Sequence, residues 1–279
     1  MTRALTPSNL REALSLLGED PGLVPMAGCT DLMVTDPVER VELPAVLDLT
    51  RVRELRGIRR GKEALEIGAT TTFSEIGSSA DVEELFPALA RAARVIGGWQ
   101  IQNRATLGGN IANASPAGDS LPVLLVLDAT LVAASTNGER RIPYTEFHVG
   151  YRRTALEPSE LIDRVSLPIP VPGSVQAFRK VGTREAQAIS KVVVAMLGRV
   201  EEGKLADYRL AAGSVAPTPV RLAEVEDSIR GRSVGEETAS LAGSLARAAV
   251  KPIDDVRSTA TYRAFALERV VRRLTLQLI

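Results

Sequence analysis

The segment Ala105–Asp119, reading ATLGGNIANASPAGD, constrains this 279-residue chain more than any other. Gly108, Gly109 and Gly118 stand among the amide and hydroxyl side chains of Asn110, Asn113 and Ser115, and apolar residues occur only singly, as at Leu107 and Ile111. A core helix or strand needs a sustained apolar face of period 3.6 or 2, which this mixture lacks. A loop is expected instead. Gly108 and Gly109 permit positive φ and close main-chain approach, so consecutive N–H groups can converge on an anion or on the polar edge of a ring. The segment is a candidate ligand cradle.

A shorter stretch of similar character lies upstream at Val24–Leu32, VPMAGCTDL, where an apolar run breaks into Ala27, Gly28, Cys29, Thr30 and Asp31. Small residues after a strand, followed by Thr and Asp, suit a diphosphate-binding turn. They equally mark an ordinary tight turn before a helix. Neither stretch is G-x-G-x-x-G or G-x-x-x-x-G-K-[ST], so the two common nucleotide fingerprints are missing.

Charge and cysteine content exclude several classes. The 34 basic residues balance 34 acidic ones and aromatics make up 4% of the chain, leaving neither a basic surplus nor stacking platforms for nucleic acid. The single Cys29 cannot build a disulfide, a tetrahedral zinc site or an iron–sulfur cluster, so any such centre belongs to another chain. It reads as a small loop side chain, and the lone His148, in a polar stretch, reads as a surface residue. The N-terminus MTRALTPSNLREAL lacks a signal-peptide core and no apolar run reaches the roughly 18 residues of a spanning helix, so a cytoplasmic protein is expected.

Periodicity predicts a helix over Pro7–Leu17 capped by Ser8, strands at Val46–Leu49 and Ala64–Ala69, and a helix over Asp81–Ile96 divided by Pro87. A helix at Leu121–Leu127 and a strand at Thr130–Ser135 follow, and Pro168, Pro170 and Pro172 punctuate the end of this unit. Beyond lie strands at Val175–Lys180 and Tyr208–Ser214 around an apolar stretch at Ile189–Leu197, then helical segments at Pro219–Arg230, Glu236–Val250 and Thr261–Leu278. The pattern predicts an α+β protein of two domains, 1–172 and 173–279, the second a small sheet packed on helices.

The pair AGCTDL and TLGGNIANASPAGDSLPVLLVLDA resembles the FAD-binding, or medium, subunit of the molybdenum hydroxylases, the group of xanthine, carbon monoxide and aldehyde-type dehydrogenases. GYRRT (150–154), ELIDRVSLP (160–168), FRKVGTREAQAISKV (178–192) and GSVAPTPVR (213–221) follow in the order that family shows, so the resemblance covers nearly the whole chain. It implies an FAD-binding domain of the PCMH type in two subdomains, split near residue 55. Pro25, Met26, Ala27, Gly28, Cys29, Thr30, Asp31 and Leu32 would wrap the FAD diphosphate, mainly by backbone N–H groups. The family often has glycine where Cys29 stands. Thr106, Gly108, Gly109 and Asn110 would form the second wall; Ile96 and Ile162 would be apolar contacts; Asp119 would accept a ribose or backbone hydrogen bond. Lys180, or its neighbour Arg179, would bring positive charge from the second domain.

The resemblance further implies one station of a relay. [2Fe–2S] clusters on a small subunit and molybdopterin on a large one would lie on partner chains, assembled as a dimer of heterotrimers. The flavin would pass electrons to an external acceptor such as NAD, a quinone, ferredoxin or oxygen. No residue of this chain need act as a catalytic acid or base. GYRRT tilts the substrate toward a xanthine-like purine. The competing expectation is a free-standing FAD-dependent oxidase with its own substrate pocket, which needs a proton-abstracting side chain beside the flavin.

Overall fold

The computed structural model describes residues 4–34 and 45–279, and within them the chain is an α+β protein. It opens with a parallel sheet in the order Ala4–Leu5, Val46–Asp48, Val24–Met26. The helix Leu10–Glu19 packs Ala13 and Leu17 onto Leu23, Leu47, Val52 and Leu55. Its cap is Asn9, whose Oδ1 accepts the Glu12 N–H at 2.9 Å, and not the predicted Ser8. Ser8 instead donates its own N–H and hydroxyl to the Glu12 carboxylate, each at 2.7 Å, so the two residues close the first turn reciprocally. The first candidate loop leaves the carboxyl end of Val24–Met26, the edge at which parallel sheets expose their ligand crevices.

A five-stranded antiparallel sheet follows, ordered Ile58–Arg60, Ala64–Gly68, Leu161–Pro168, Thr130–Ser135, Gly138–Pro143. The helices Ala80–Leu85 and Pro87–Val95 divide at Pro87, as expected, because proline has no N–H to give and is tolerated in a first helical turn. Leu89, Ala92 and Ala93 of the second helix lie in the core with Leu65, Ile67 and Val165 of the sheet.

A four-stranded antiparallel sheet comes last, Val175–Val181, Val192–Glu201, Lys204–Gly213, Val220–Arg221. The apolar stretch noted at Ile189–Leu197 supplies its central strand, and period-2 alternation explains why that strand is apolar throughout. Val193, Ala195 and Leu197 join the core beneath the helix Leu121–Val126, whereas Val192, Val194 and Met196 meet the helices Glu236–Ala248 and Ala260–Thr275. Both faces are buried, so no polar side is needed. The predicted helix over Pro219–Arg230 begins only at Ala223. Val220 and Arg221 pair with Ala212 and Ala211, and the Leu222 N–H donates to Leu210 O at 2.8 Å, so the sheet edge claims these residues first. Among the described residues no helix is long and apolar enough to cross a membrane.

His148 is not the surface residue the sequence suggested. It stands edge-on between the rings of Tyr144 and Phe147, with centroids 5.2 Å from each, and its Nε2 lies 2.8 Å from the Tyr144 hydroxyl. With Nε2 accepting that O–H, Nδ1 carries the hydrogen and finds no acceptor among the described residues. Burial pulls the imidazole down to about 4. A folded-state value below the unfolded one means stability is fully present above about pH 6.5 and is lost as pH falls toward 4. Replacing His148 with Gln is expected to flatten the acid limb of a urea-unfolding series by about 2 kcal/mol, after discounting for solvent around a partly exposed ring. Parallel pH profiles for wild type and variant would contradict this origin.

Candidate cofactor site

The longer glycine segment is not wholly a loop. Thr106 caps a short helix, Leu107–Asn113, its Oγ1 accepting the Gly109 N–H at 3.1 Å, and Ala114 ends the helix in the left-handed region. Neither Gly108 nor Gly109 takes a positive φ. The expectation that their N–H groups converge on a ligand also fails. The Leu107 N–H donates to Thr71 O at 3.0 Å, Gly108 to Ala69 O at 2.8 Å, and Asn110 to Thr106 O at 3.0 Å. What the glycines provide is closeness. A Cβ on buried Gly108 would lie 2.6 Å from the Ala69 Cβ and 2.8 Å from its carbonyl oxygen, so this residue docks the helix onto the end of strand Ala64–Gly68. Gly109 faces solvent, and a Cβ there would meet only the Thr106 hydroxyl, at 2.9 Å.

The two candidate stretches meet directly. A Cβ on Gly28 would fall 1.9 Å from the Arg104 carbonyl oxygen, a separation no side chain survives, so the main chains of the shorter loop and of Arg104–Ala105 are in contact. Farther along, the Asn113 amide donates to the Asp31 carboxylate at 3.1 Å and its Oδ1 accepts from Arg152 at 3.0 Å. Pro25 and Met26 end the strand, Ala27 and Gly28 form a bend, and Thr30 to Leu32 form a turn closed by Met33 N–H to Cys29 O at 3.1 Å. Among the described residues, no acceptor meets the backbone N–H groups of Ala27 to Leu32. Arrays of main-chain donors were expected on both stretches, and only this one leaves them without acceptors among the described residues.

Cys29 sits in the left-handed region with φ 64°, a conformation that glycine takes without steric cost. Replacing Cys29 with Gly is expected to leave the melting temperature at or above wild type, because the relieved strain of about 1 kcal/mol offsets glycine's greater unfolded-state entropy. Replacing it with Val should cost about 1–3 kcal/mol. A destabilised Gly variant would show that the thiol's own contacts matter.

Asp119 and Lys180 come together, and they engage each other. Lys180 Nζ lies 2.6 Å from an Asp119 carboxylate oxygen and donates to Val95 O at 3.0 Å, while the Ser190 hydroxyl donates to the other Asp119 oxygen. Both side chains are buried. Burial pushes the Asp119 carboxyl above its ordinary value, with the Lys180 ammonium and the Ser190 hydroxyl pulling the other way. Alternation along Val175–Val181 decides between the two basic candidates, since Lys180 turns toward Asp119 and Arg179 is exposed. Asn110 ties this pair to the glycine helix by accepting the hydroxyl of Ser120, Asp119's neighbour, at 2.8 Å. Ile96, beside Val95, and Ile162, where strand Leu161–Pro168 bulges, are both buried in the central core.

Sequence reasoning missed Ser190, Asn113 as a bridge, and the Ala69–Thr72 segment that seats the helix. The run Thr70-Thr71-Thr72 was the available signal. Its members bond to Leu55 O, Gly57 O and the Glu75 carboxylate, an unusual density of hydroxyl contacts under one loop. The arrangement suits FAD. It offers a main-chain donor array for a diphosphate, an open face at Gly109, and a buried ion pair and apolar side chains beyond, with no lysine spent on neutralising phosphate.

Comparison with known proteins agrees. Residues 1–170 match the model of the FAD binding domain in molybdopterin dehydrogenase, and residues 176–278 match the CO dehydrogenase flavoprotein C-terminal domain. The chain is 30% identical to the putative xanthine dehydrogenase FAD-binding subunit of Escherichia coli K12, covering 96% of this chain and 92% of that one. It is likewise 30% identical to the carbon monoxide dehydrogenase medium chain of Hydrogenophaga pseudoflava, with 96% and 93% covered. The solved carbon monoxide dehydrogenase of that organism, in a form lacking the Mo-pyranopterin moiety, superposes with a TM-score of 0.93 at 29% identity, over 98% of this chain and 95% of that one. This chain therefore belongs to the FAD-binding flavoprotein subunits of the molybdopterin-dependent dehydrogenases.

Proposed function

We propose that this chain is the electron-transfer subunit of a molybdenum hydroxylase assembly, taking electrons from [2Fe–2S] clusters on a small partner chain and passing them through FAD to an external acceptor. One observation carries the reading: two main-chain segments in direct contact at Gly28 and Arg104 leave a row of N–H groups that meet no acceptor among the described residues, beside an open glycine face. Bound there, FAD would supply the exchange between one-electron and two-electron carriers. The Ala27–Leu32 N–H groups would hold its diphosphate, Thr106 and Asn110 would fix the facing helix, and Gly109 would leave room for the ribityl chain. Asp119 and Lys180, already paired, would present a fixed polar edge, and Ile96 and Ile162 would close the pocket away from water.

Two domains dividing near residue 172 would lie on either side of this site. The partners would be a small iron–sulfur subunit and a large molybdopterin subunit in a dimer of heterotrimers in the cytoplasm, with NAD among the acceptors and a purine-like substrate, which GYRRT favours. A free-standing oxidase would need a base beside the flavin. The one histidine, His148, is held by Tyr144 instead.

Gly109→Val tests the cradle itself. The added Cβ displaces the Thr106 hydroxyl from its cap, at a cost of about 1–2 kcal/mol, and the branched group projects where the cofactor would lie. FAD retention on purification is expected to fall at least about tenfold, corresponding to about 1.4 kcal/mol, while the protein stays folded and melts only a few degrees lower. A variant that purifies with full flavin content would place the cofactor elsewhere.

A further inference from the structure

Arg263, the fourth residue of the helix Ala260–Thr275, is the one buried arginine among the described residues, at 3% exposed. A guanidinium is expensive to bury unless its charge is paired and its donors are satisfied. Asp255 supplies the charge partner at 2.8 Å, yet the Nε–H meets no acceptor among the described residues, which is a cost in stability. The other donors go to main chain. One terminal nitrogen donates to Lys191 O at 2.7 Å and to Ser214 O at 3.0 Å, and among the described residues no other side chain donates to either carbonyl. Lysine would bring a single nitrogen on a flexible stem in place of a planar group whose two ends bind the carbonyls and the carboxylate separately.

Both carbonyls belong to segments that fix Ser190. Lys191 is its neighbour and donates its own N–H to Val181 O at 2.8 Å, tying this point to the end of strand Val175–Val181. Ser214, second residue of the stretch GSVAPTPVR, donates its hydroxyl to Ser190 O at 2.9 Å. Its N–H goes to Pro116 O at 2.8 Å, in the segment leading from the glycine helix to Asp119. Ser214 stands in the left-handed region at φ 64°, a conformation that a side chain resists and that persists only where the surroundings impose it. Its N–H, hydroxyl and carbonyl are all engaged, the last by Arg263. Ser190, 1% exposed, passes the constraint on, because its hydroxyl donates to the Asp119 oxygen opposite the one paired with Lys180. A continuous run of hydrogen bonds therefore links the helix Ala260–Thr275 to Asp119, and in a low-dielectric interior each member of such a run fixes the next.

Resting on the function proposed above, we infer that Arg263 and Ser214 are positioning residues for the flavin, acting through Ser190 to set the orientation of the Asp119–Lys180 edge. The test titrates FAD into the full-length, flavin-free chain and reads the dissociation constant, the visible flavin bands and the melting temperature. Arg263→Lys is expected to weaken FAD binding about tenfold and to shift the bands. Ser214→Gly is the sharper probe, because glycine takes φ 64° freely. It removes only the hydroxyl, so the melting temperature should stay close to wild type while FAD binding falls by a similar factor. In a Ser190→Ala background either change should weaken binding by less than about twofold more, since the link to Asp119 is already cut. Wild-type affinity and bands in Arg263→Lys and Ser214→Gly, whatever their melting temperatures, would overturn the positioning role and leave the proposed function standing. A tenfold loss that persists undiminished in the Ser190→Ala background would also overturn it, by showing a route that bypasses Ser190. If Arg263→Lys does not fold, Ser214→Gly completes the same cycle with Ser190→Ala. A wild-type chain that binds no FAD would overturn the proposed function itself.

Discussion

Gly28→Ala is expected to yield a chain that purifies without flavin. The added Cβ would lie 1.9 Å from the Arg104 carbonyl oxygen, 2.6 Å from its carbon and 3.0 Å from the Ala105 Cα, and all three are main-chain atoms that cannot rotate away. The shorter loop must therefore move off the segment leading into Thr106, and the N–H row of Ala27–Leu32 moves with it. Overpacking of this kind costs about 1–3 kcal/mol of stability. Loss of a shared grip on one ligand should weaken FAD binding by about a hundredfold or more, corresponding to about 2.8 kcal/mol. Flavin absorbance per chain, with the denaturation midpoint measured alongside, separates the two effects. A Gly28→Ala protein as yellow as wild type would mean that the two segments do not hold one cofactor between them.

Lys180→Met should produce the largest loss of stability. It removes the partner of Asp119, a carboxylate only 7% exposed, and takes a donor from Val95 O. Breaking a buried pair from one side leaves an uncompensated charge and costs about 3–5 kcal/mol. Asp119→Leu should cost a similar amount by stranding the ammonium. The double variant, with no charge left in the site, should recover at least about half of the summed loss, because replacing a whole buried pair with apolar groups is often nearly neutral. Unfolding free energies in urea test the cycle. Two single variants each losing less than about 1 kcal/mol would show a pair screened by water.

Several strands and most helices were legible because each has a face. Val46–Asp48, Ala64–Gly68 and Thr130–Ser135 stand out as short apolar or alternating stretches of strand length, and Pro87 shows where one helix gives way to the next. The helix Leu107–Asn113 was not legible, because seven residues with two glycines have no apolar stripe and stand on their Thr106 cap and on Ala69, nearly forty residues earlier in the chain. Contacts of that span leave no periodic trace. The same holds for Gly28, whose need for glycine comes from Arg104, and for Asp119, whose partners Lys180 and Ser190 arrive from the last sheet and the segment preceding its central strand. The resemblance named Gly28, Thr106 and Gly109, but not Arg104, whose carbonyl meets Gly28. That the N–H groups of the glycine helix are closed by Thr71, Ala69 and Thr106, leaving open ones on the shorter loop alone, needed the fold.

The most direct measurement is a titration of the flavin-free chain with FAD, followed by visible absorbance and by dialysis. One FAD bound per chain, with perturbed flavin bands that Gly28→Ala and Gly109→Val both diminish, is the expected result. A chain that stays colourless in excess FAD, although folded by its far-ultraviolet circular dichroism, would contradict the cradle formed by these two segments.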